Sequence, residues 1–112
     1  MARYLPDRGD VVWMTFDPQT GHEQKGRRPA LIISPHQYNR PSGVALCCPI
    51  TSQTKGYPFE VRIEPADDVH GVILCDQLRG LDWRARKARF IIRASADCLD
   101  EVLAKIEALL RR

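Results

Sequence analysis

Val44-Ala45-Leu46-Cys47-Cys48-Pro49-Ile50-Thr51 is a β-rich run introduced by the turn-forming Pro41-Ser42-Gly43. Its paired thiols read as small core residues, and because side chains alternate along a strand, Cys47 and Cys48 point to opposite sides. Working outward from this run, similar short stretches span Asp10 to Phe16, Ala30 to Ser34, Phe59 to Glu64, Gly71 to Leu78 and Arg89 to Arg93. Asp17-Pro18, Gly26, Pro35, Gly56-Tyr57-Pro58 and Gly80 punctuate them. Six short strands in so small a chain predict a strongly curved barrel or partly open sheet, since the edges must close to bury a core. The chain ends differently. Leu99, Val102, Leu103, Ile106, Leu109 and Leu110 recur at helical spacing, and Ser95 stands at the N-cap position, which predicts an amphipathic helix over 96–110.

A length of 112 residues with 44% hydrophobic content fits one ordinary globular domain, 1–112. The opening Met1 to Asp7 lacks the apolar core of a signal peptide, and no apolar run approaches the roughly 20 residues needed to span a bilayer. A cytoplasmic protein with no membrane partner is expected. In that reducing compartment the four cysteines are expected to be free thiols. They lack Cys-x-x-Cys spacing and His22, His36 and His70 are scattered, so neither a metal nor a cofactor is expected. The net charge of +3 is mild but unevenly spread. Arg79, Arg84, Arg86, Lys87, Arg89 and Arg93 face the single acid Asp82, whereas Asp97, Asp100, Glu101 and Glu107 lie in the C-terminal segment. The basic stretch suits either a phosphate-facing surface or a solvated face.

Three stretches carry polar chemistry in unusual density. Gly21-His22-Glu23-Gln24-Lys25-Gly26-Arg27-Arg28-Pro29 lies between two strands, and Pro29 biases Arg28 towards an extended conformation at the mouth of the second. It is either a binding loop or a solvated hairpin loop. Pro49-Ile50-Thr51-Ser52-Gln53-Thr54-Lys55-Gly56-Tyr57-Pro58-Phe59 joins a hydroxyl-rich strand end to a basic, aromatic turn. Such a turn offers phosphate donors beside a ring on which a base can stack. Phe59 begins an alternating strand and reads as core; Tyr57 stays open between core and surface. In Gly71-Val72-Ile73-Leu74-Cys75-Asp76-Gln77, a carboxylate ends an apolar strand, where it must be solvated, paired with an arginine, or functional. Trp83, in Asp82-Trp83-Arg84-Ala85-Arg86, either stacks on a base or bridges two subunits.

Taken together and in order, these stretches resemble the MazF/PemK toxins, closest to the chromosomal MazF subgroup. The resemblance rests on Gly21-His22-Glu23-Gln24-x-Gly26-x-Arg28-Pro29, Pro49-Ile50-Thr51, Lys55-Gly56-Tyr57-Pro58-Phe59-Glu60-Val61, Asp76-Gln77 and Asp82-Trp83-Arg84-Ala85-Arg86, and runs nearly end to end. It implies a mainly β fold, a small SH3-like barrel of the CcdB/MazF/Kid kind with a C-terminal α-helix. It also implies a homodimeric, metal-independent endoribonuclease that cuts single-stranded RNA and is neutralised by a MazE-like antitoxin with an acidic, disordered tail. Operator DNA would be met only through the antitoxin complex.

By the same resemblance, Arg28 and Thr51 match catalytic positions, and Glu23 belongs to a loop implicated in activity. His22 and Asp76 match positions assigned to catalysis in the plasmid-borne branch. Leu74 stands where that branch carries an arginine, so a mechanism in which that arginine is the acid does not transfer. Gln24, Lys55, Tyr57, Asp76, Gln77, Arg79, Trp83, Arg84 and Arg86 are the expected RNA contacts.

Cleavage without metal uses the substrate's 2′-hydroxyl as nucleophile, and the protein must take one proton, stabilise charge on phosphorus and return a proton to the leaving oxygen. The planar fork of Arg28 suits two phosphate oxygens, and Thr51 suits a hydrogen bond to the same group. Glu23 and His22 are candidates for the first proton, and imidazole has the better intrinsic basicity. The alternative from another class is a CcdB-like toxin that grips a protein such as DNA gyrase; it needs no loop arginine together with a strand-end threonine.

Overall fold

The computed structural model describes residues 3–16, 26–66 and 68–111. Among these residues, seven strands and two α-helices are described, in the order β1 (Asp10–Thr15), β2 (Arg27–Ile32), α1 (His36–Ser42), β3 (Val44–Thr51), β4 (Glu60–Ala66), β5 (Val69–Leu74), β6 (Arg79–Asp82), β7 (Arg89–Arg93) and α2 (Ala96–Leu110). All observed pairings are antiparallel, and the sheet runs β4-β5-β3-β2-β1-β7 with β6 on β3.

β3 is the hub: it pairs with β2 through Leu31↔Cys48, with β5 through Ile50↔Ile73 and Thr51↔Val72, and with β6 through Ala45↔Leu81. A strand with three partners in a curled sheet has core on both faces. Cys48 and Ile50 join Val11, Leu31, Val61, Ile73, Val102 and Ile106 in one cluster, while Cys47 and Ala45 join Val12, Met14, Ile32, Leu81 and Trp83 in the other. The opposite orientation of the adjacent thiols is therefore as the alternation demands. Burial pushes both thiols up to about 12, against the lowering effect of Arg79 and Arg86 on Cys47, so they are packing groups and not nucleophiles.

The C-terminal helix forms as its periodicity dictates. The Ser95 side chain accepts a 3.1 Å hydrogen bond from the Cys98 amide, and Val102 and Ile106 are buried, flanked by Leu99 and Leu103. Leu109 and Leu110 stay exposed.

Three local features depart from expectation. α1 forms although Pro35 precedes it and Pro41 lies inside it. Buried Asn39 compensates: its side-chain nitrogen donates to the Pro6 and Ser34 carbonyls, its side-chain oxygen accepts from the Ser34 hydroxyl, and Gly43 closes the helix in the left-handed conformation. The second strand begins at Arg27, earlier than Ala30. The run from Gly71 to Leu78 is not one strand, because Cys75–Gln77 form a 3-10 turn that redirects the chain into β6. No described helix is long and apolar enough to cross a membrane.

Candidate functional site

Arg27 and Arg28 are neighbours on β2 with opposite employment. Arg27 donates to the Thr15 hydroxyl and to the Trp13 and Lys87 carbonyls, tying β1, β2 and the 82–88 turn together. Arg28 is exposed and has no hydrogen-bond or ion-pair partner among the described residues. Alternation along the strand separates a structural guanidinium from an uncommitted one.

Thr51 ends β3 beside it. The β2–β3 ladder ends at Ala30↔Pro49, two residues from Arg28 on one strand and two from Thr51 on the other. Both line one hollow of about 360 Å³ that also takes in Gln53, Asp68 and His70. The Thr51 hydroxyl accepts a 3.1 Å bond from the Gln53 amide, which orients the oxygen and leaves its proton to donate. Gly71, at φ +113°, lies against the Thr51 carbonyl so closely that a Cβ there would collide with it. Close approach of β5 is what holds the strand end in place.

A second hollow of about 180 Å³ gathers Lys55, Tyr57, Asp76 and Gln77, and shares Thr51 and Gln53 with the first. The two therefore meet at the end of β3. Its wall is built by Glu60, whose carboxylate accepts from the Lys55 and Gly56 amides at 3.1 and 3.0 Å. Tyr57, left open by its sequence, is 61% exposed, whereas Phe59 packs against the core. Asp76 is exposed on the 3-10 turn and forms no ion pair among the described residues, so pairing with an arginine does not explain it.

The basic stretch behaves less uniformly than its composition implies. Arg86 is a brace: its guanidinium donates to the Thr15 and Phe16 carbonyls at 3.0 and 2.9 Å. Arg93 pairs with Asp10 at 2.7 Å, and Arg79 stacks over the Phe16 ring. Trp83, expected either to stack on a base or to bridge two subunits, is packed within the chain itself. It is 6% exposed, its indole N–H donates to the Asn39 carbonyl, and the Arg84 guanidinium lies over its ring. Arg84, Arg3, Arg40 and Lys87 ring a separate hollow of about 480 Å³ that shares no lining residue with the other two.

His22, Glu23 and Gln24 lie outside the described residues. The segment that carries them leaves at Phe16 and returns at Gly26, which are joined by a 2.7 Å backbone hydrogen bond at the Arg27–Arg28 end of β2. Sequence reasoning missed Asp68, His70 and Glu60. The available signal was the polar Asp68 and His70 flanking buried Val69 before a glycine.

Comparison with known proteins agrees with this geometry. Residues 7–110 match the profile of a family described as PemK-like, MazF-like toxin of type II toxin-antitoxin system. The endoribonuclease toxin MazF of Escherichia coli strain K12 is 44% identical over 110 residues, 98% of each chain. The crystal structure of MazF from Deinococcus radiodurans superposes with a TM-score of 0.86 at 52% identity, covering 96% of this chain and 98% of that one. A MazE-MazF crystal structure from the same organism matches at 0.87 and 50% identity, covering 96% and 97%.

Proposed function

Since the chain belongs to the family of PemK-like, MazF-like toxins of type II toxin-antitoxin systems, we propose that it is an endoribonuclease that cuts single-stranded RNA without a metal and is silenced by a partner antitoxin. The observation that carries this reading is the meeting of Arg28 and Thr51, from adjacent strands, at one hollow, Arg28 with no partner among the described residues and the Thr51 hydroxyl accepting one bond with its proton left to donate. A guanidinium and a hydroxyl so arranged can hold the non-bridging oxygens of one phosphodiester while negative charge grows on them.

The reaction needs no outside reagent. The 2′-oxygen attacks phosphorus, its proton passes to a base, the bond to the 5′-oxygen breaks, and a proton is delivered to that oxygen. The products are a 2′,3′-cyclic phosphate and a 5′-hydroxyl end. Glu23 or His22, in the segment anchored at the Arg28 end of β2, is the proposed base. Lys55, Tyr57 and Gln77 around the second hollow form the channel for flanking nucleotides, with Tyr57 as the stacking ring.

The protein is read as cytoplasmic and homodimeric; exposed Phe90, Ile92, Leu109 and Leu110 are apolar surface that a second copy would cover. Its antitoxin is MazE-like, with an acidic tail that competes with RNA for the basic surface. Incubation of the purified protein with a long RNA in EDTA tests the enzyme reading. It predicts discrete fragments bearing 5′-hydroxyl ends; intact RNA under those conditions, with the protein folded, would refute it and favour a protein-gripping toxin.

A further inference from the structure

Among the described residues, one imidazole lines the hollow that joins Arg28 and Thr51: that of His70, contributed by a third strand. The sheet order β5-β3-β2 sets His70 on one side of Thr51 and Arg28 on the other. In the β3–β5 ladder Thr51 pairs with Val72, His70 lies two residues along β5 from Val72, and Thr51 and His70 line the same hollow. Val69, its neighbour, is buried in the core, which anchors the start of β5, and His70 beside it is exposed. Gly71 brings this strand against the Thr51 backbone.

We propose that His70 is the general acid of the cleavage, giving its ring proton to the departing 5′-oxygen; the assignment rests on the endoribonuclease reading above. Attacking and leaving oxygens stand roughly in line through the phosphorus, so the groups serving them approach from opposite sides. His70 reaches the hollow from β5, on the side of β3 away from Arg28 and β2, so it can serve the leaving oxygen while Arg28 and Thr51 hold the phosphate. As the bond from phosphorus to the 5′-oxygen breaks, the electron pair on that oxygen takes the proton from His70. The ring is left neutral and is reprotonated from water. An imidazole is the side chain suited to such exchange near neutral pH. Among the described residues, the charged groups facing it are Asp68 and Arg28 in the shared hollow, and Arg62 of β4 across an adjoining one of about 450 Å³.

The test compares wild type and His70→Gln on two RNAs, one all-oxygen and one with sulfur in place of the bridging 5′-oxygen at the cut site. A thiolate leaves without protonation, so loss of an acid is felt only on the oxygen substrate. Wild-type cleavage of the oxygen substrate checks the underlying reading. Given that, His70→Gln is expected to lose about 10²- to 10⁴-fold in kcat/KM on the oxygen RNA, lose the alkaline fall of its pH–rate profile, and regain most of the deficit on the sulfur RNA. Equal losses on both substrates, an unchanged profile, or near wild-type cleavage of the oxygen RNA would overturn the proposal. His70 is exposed, and a matching circular dichroism spectrum for the variant separates chemistry from folding.

Discussion

Gly71 on β5 packs against the carbonyl of Thr51 on β3, with no room for a Cβ between them and a φ of +113°. The contact sets where Thr51 stands relative to Arg28. Gly71→Ala therefore strains the backbone, by about 1–3 kcal/mol, and displaces the strand end. Cleavage should fall by at least about tenfold, since misplacement of about 1 Å can cost a hundredfold. Urea unfolding alongside cleavage kinetics checks both halves; a variant as stable and active as wild type would show that the contact does not position Thr51.

Two arginines two residues apart should respond in opposite ways. Arg86 braces the end of β1 through two carbonyls, so Arg86→Ala should cost about 1.5–3 kcal/mol of stability. Arg84 is exposed and lies over Trp83, so Arg84→Ala should change stability by no more than about 0.5 kcal/mol. As a phosphate contact it should still weaken binding of a non-cleavable RNA and lower the salt slope by about 1. Thermal melts and a salt titration separate them. Equal melting temperatures would remove the bracing role from Arg86.

The buried thiols predict an alkaline limit to stability. Burial raises Cys47 and Cys48 from an ordinary 9.0 to about 12, and Cys75 to about 11. A raised folded value means that the neutral form is favoured in the native state. The stabilisation is then fully present below pH 9 and lost as pH climbs through 11 to 12, because the unfolded chain ionises first. Urea midpoints measured from pH 8 to pH 11 under reducing conditions should fall above pH 9 and fall less in Cys47→Ala, measured against its own pH 8 value. A flat profile would contradict the burial.

Legibility of the sequence followed the reach of each interaction. The Ser95 cap, the Val102–Ile106 stripe and the opposed Cys47 and Cys48 are set by local periodicity, and all appear as read. α1 was hidden because what stabilises it is buried Asn39, bonded to Ser34 five residues back and to Pro6 across the fold, while Pro35 and Pro41 argue locally for a loop. The break after Leu74 was missed for a similar reason: apolar character continues into Cys75 while the backbone turns. At the site, the motif residues Arg28 and Thr51 were legible and the structure brings them to one hollow. Asp68 and His70 were not, since only the β3–β5 pairing carries them there. Composition also concealed that Arg27, Arg86 and Arg93 are bound internally while Arg28 has no partner among the described residues.

The central claim is that Arg28 and Thr51 act on the same phosphate. A double-mutant cycle of Arg28→Ala and Thr51→Val, read as kcat/KM on a short RNA in EDTA, measures that coupling. Two groups serving one transition state should be strongly non-additive, with an interaction energy above about 1 kcal/mol. The double variant should then be little worse than Arg28→Ala alone. Losses that add to within about 0.5 kcal/mol would mean that the two residues work independently, and the shared phosphate would have to be abandoned.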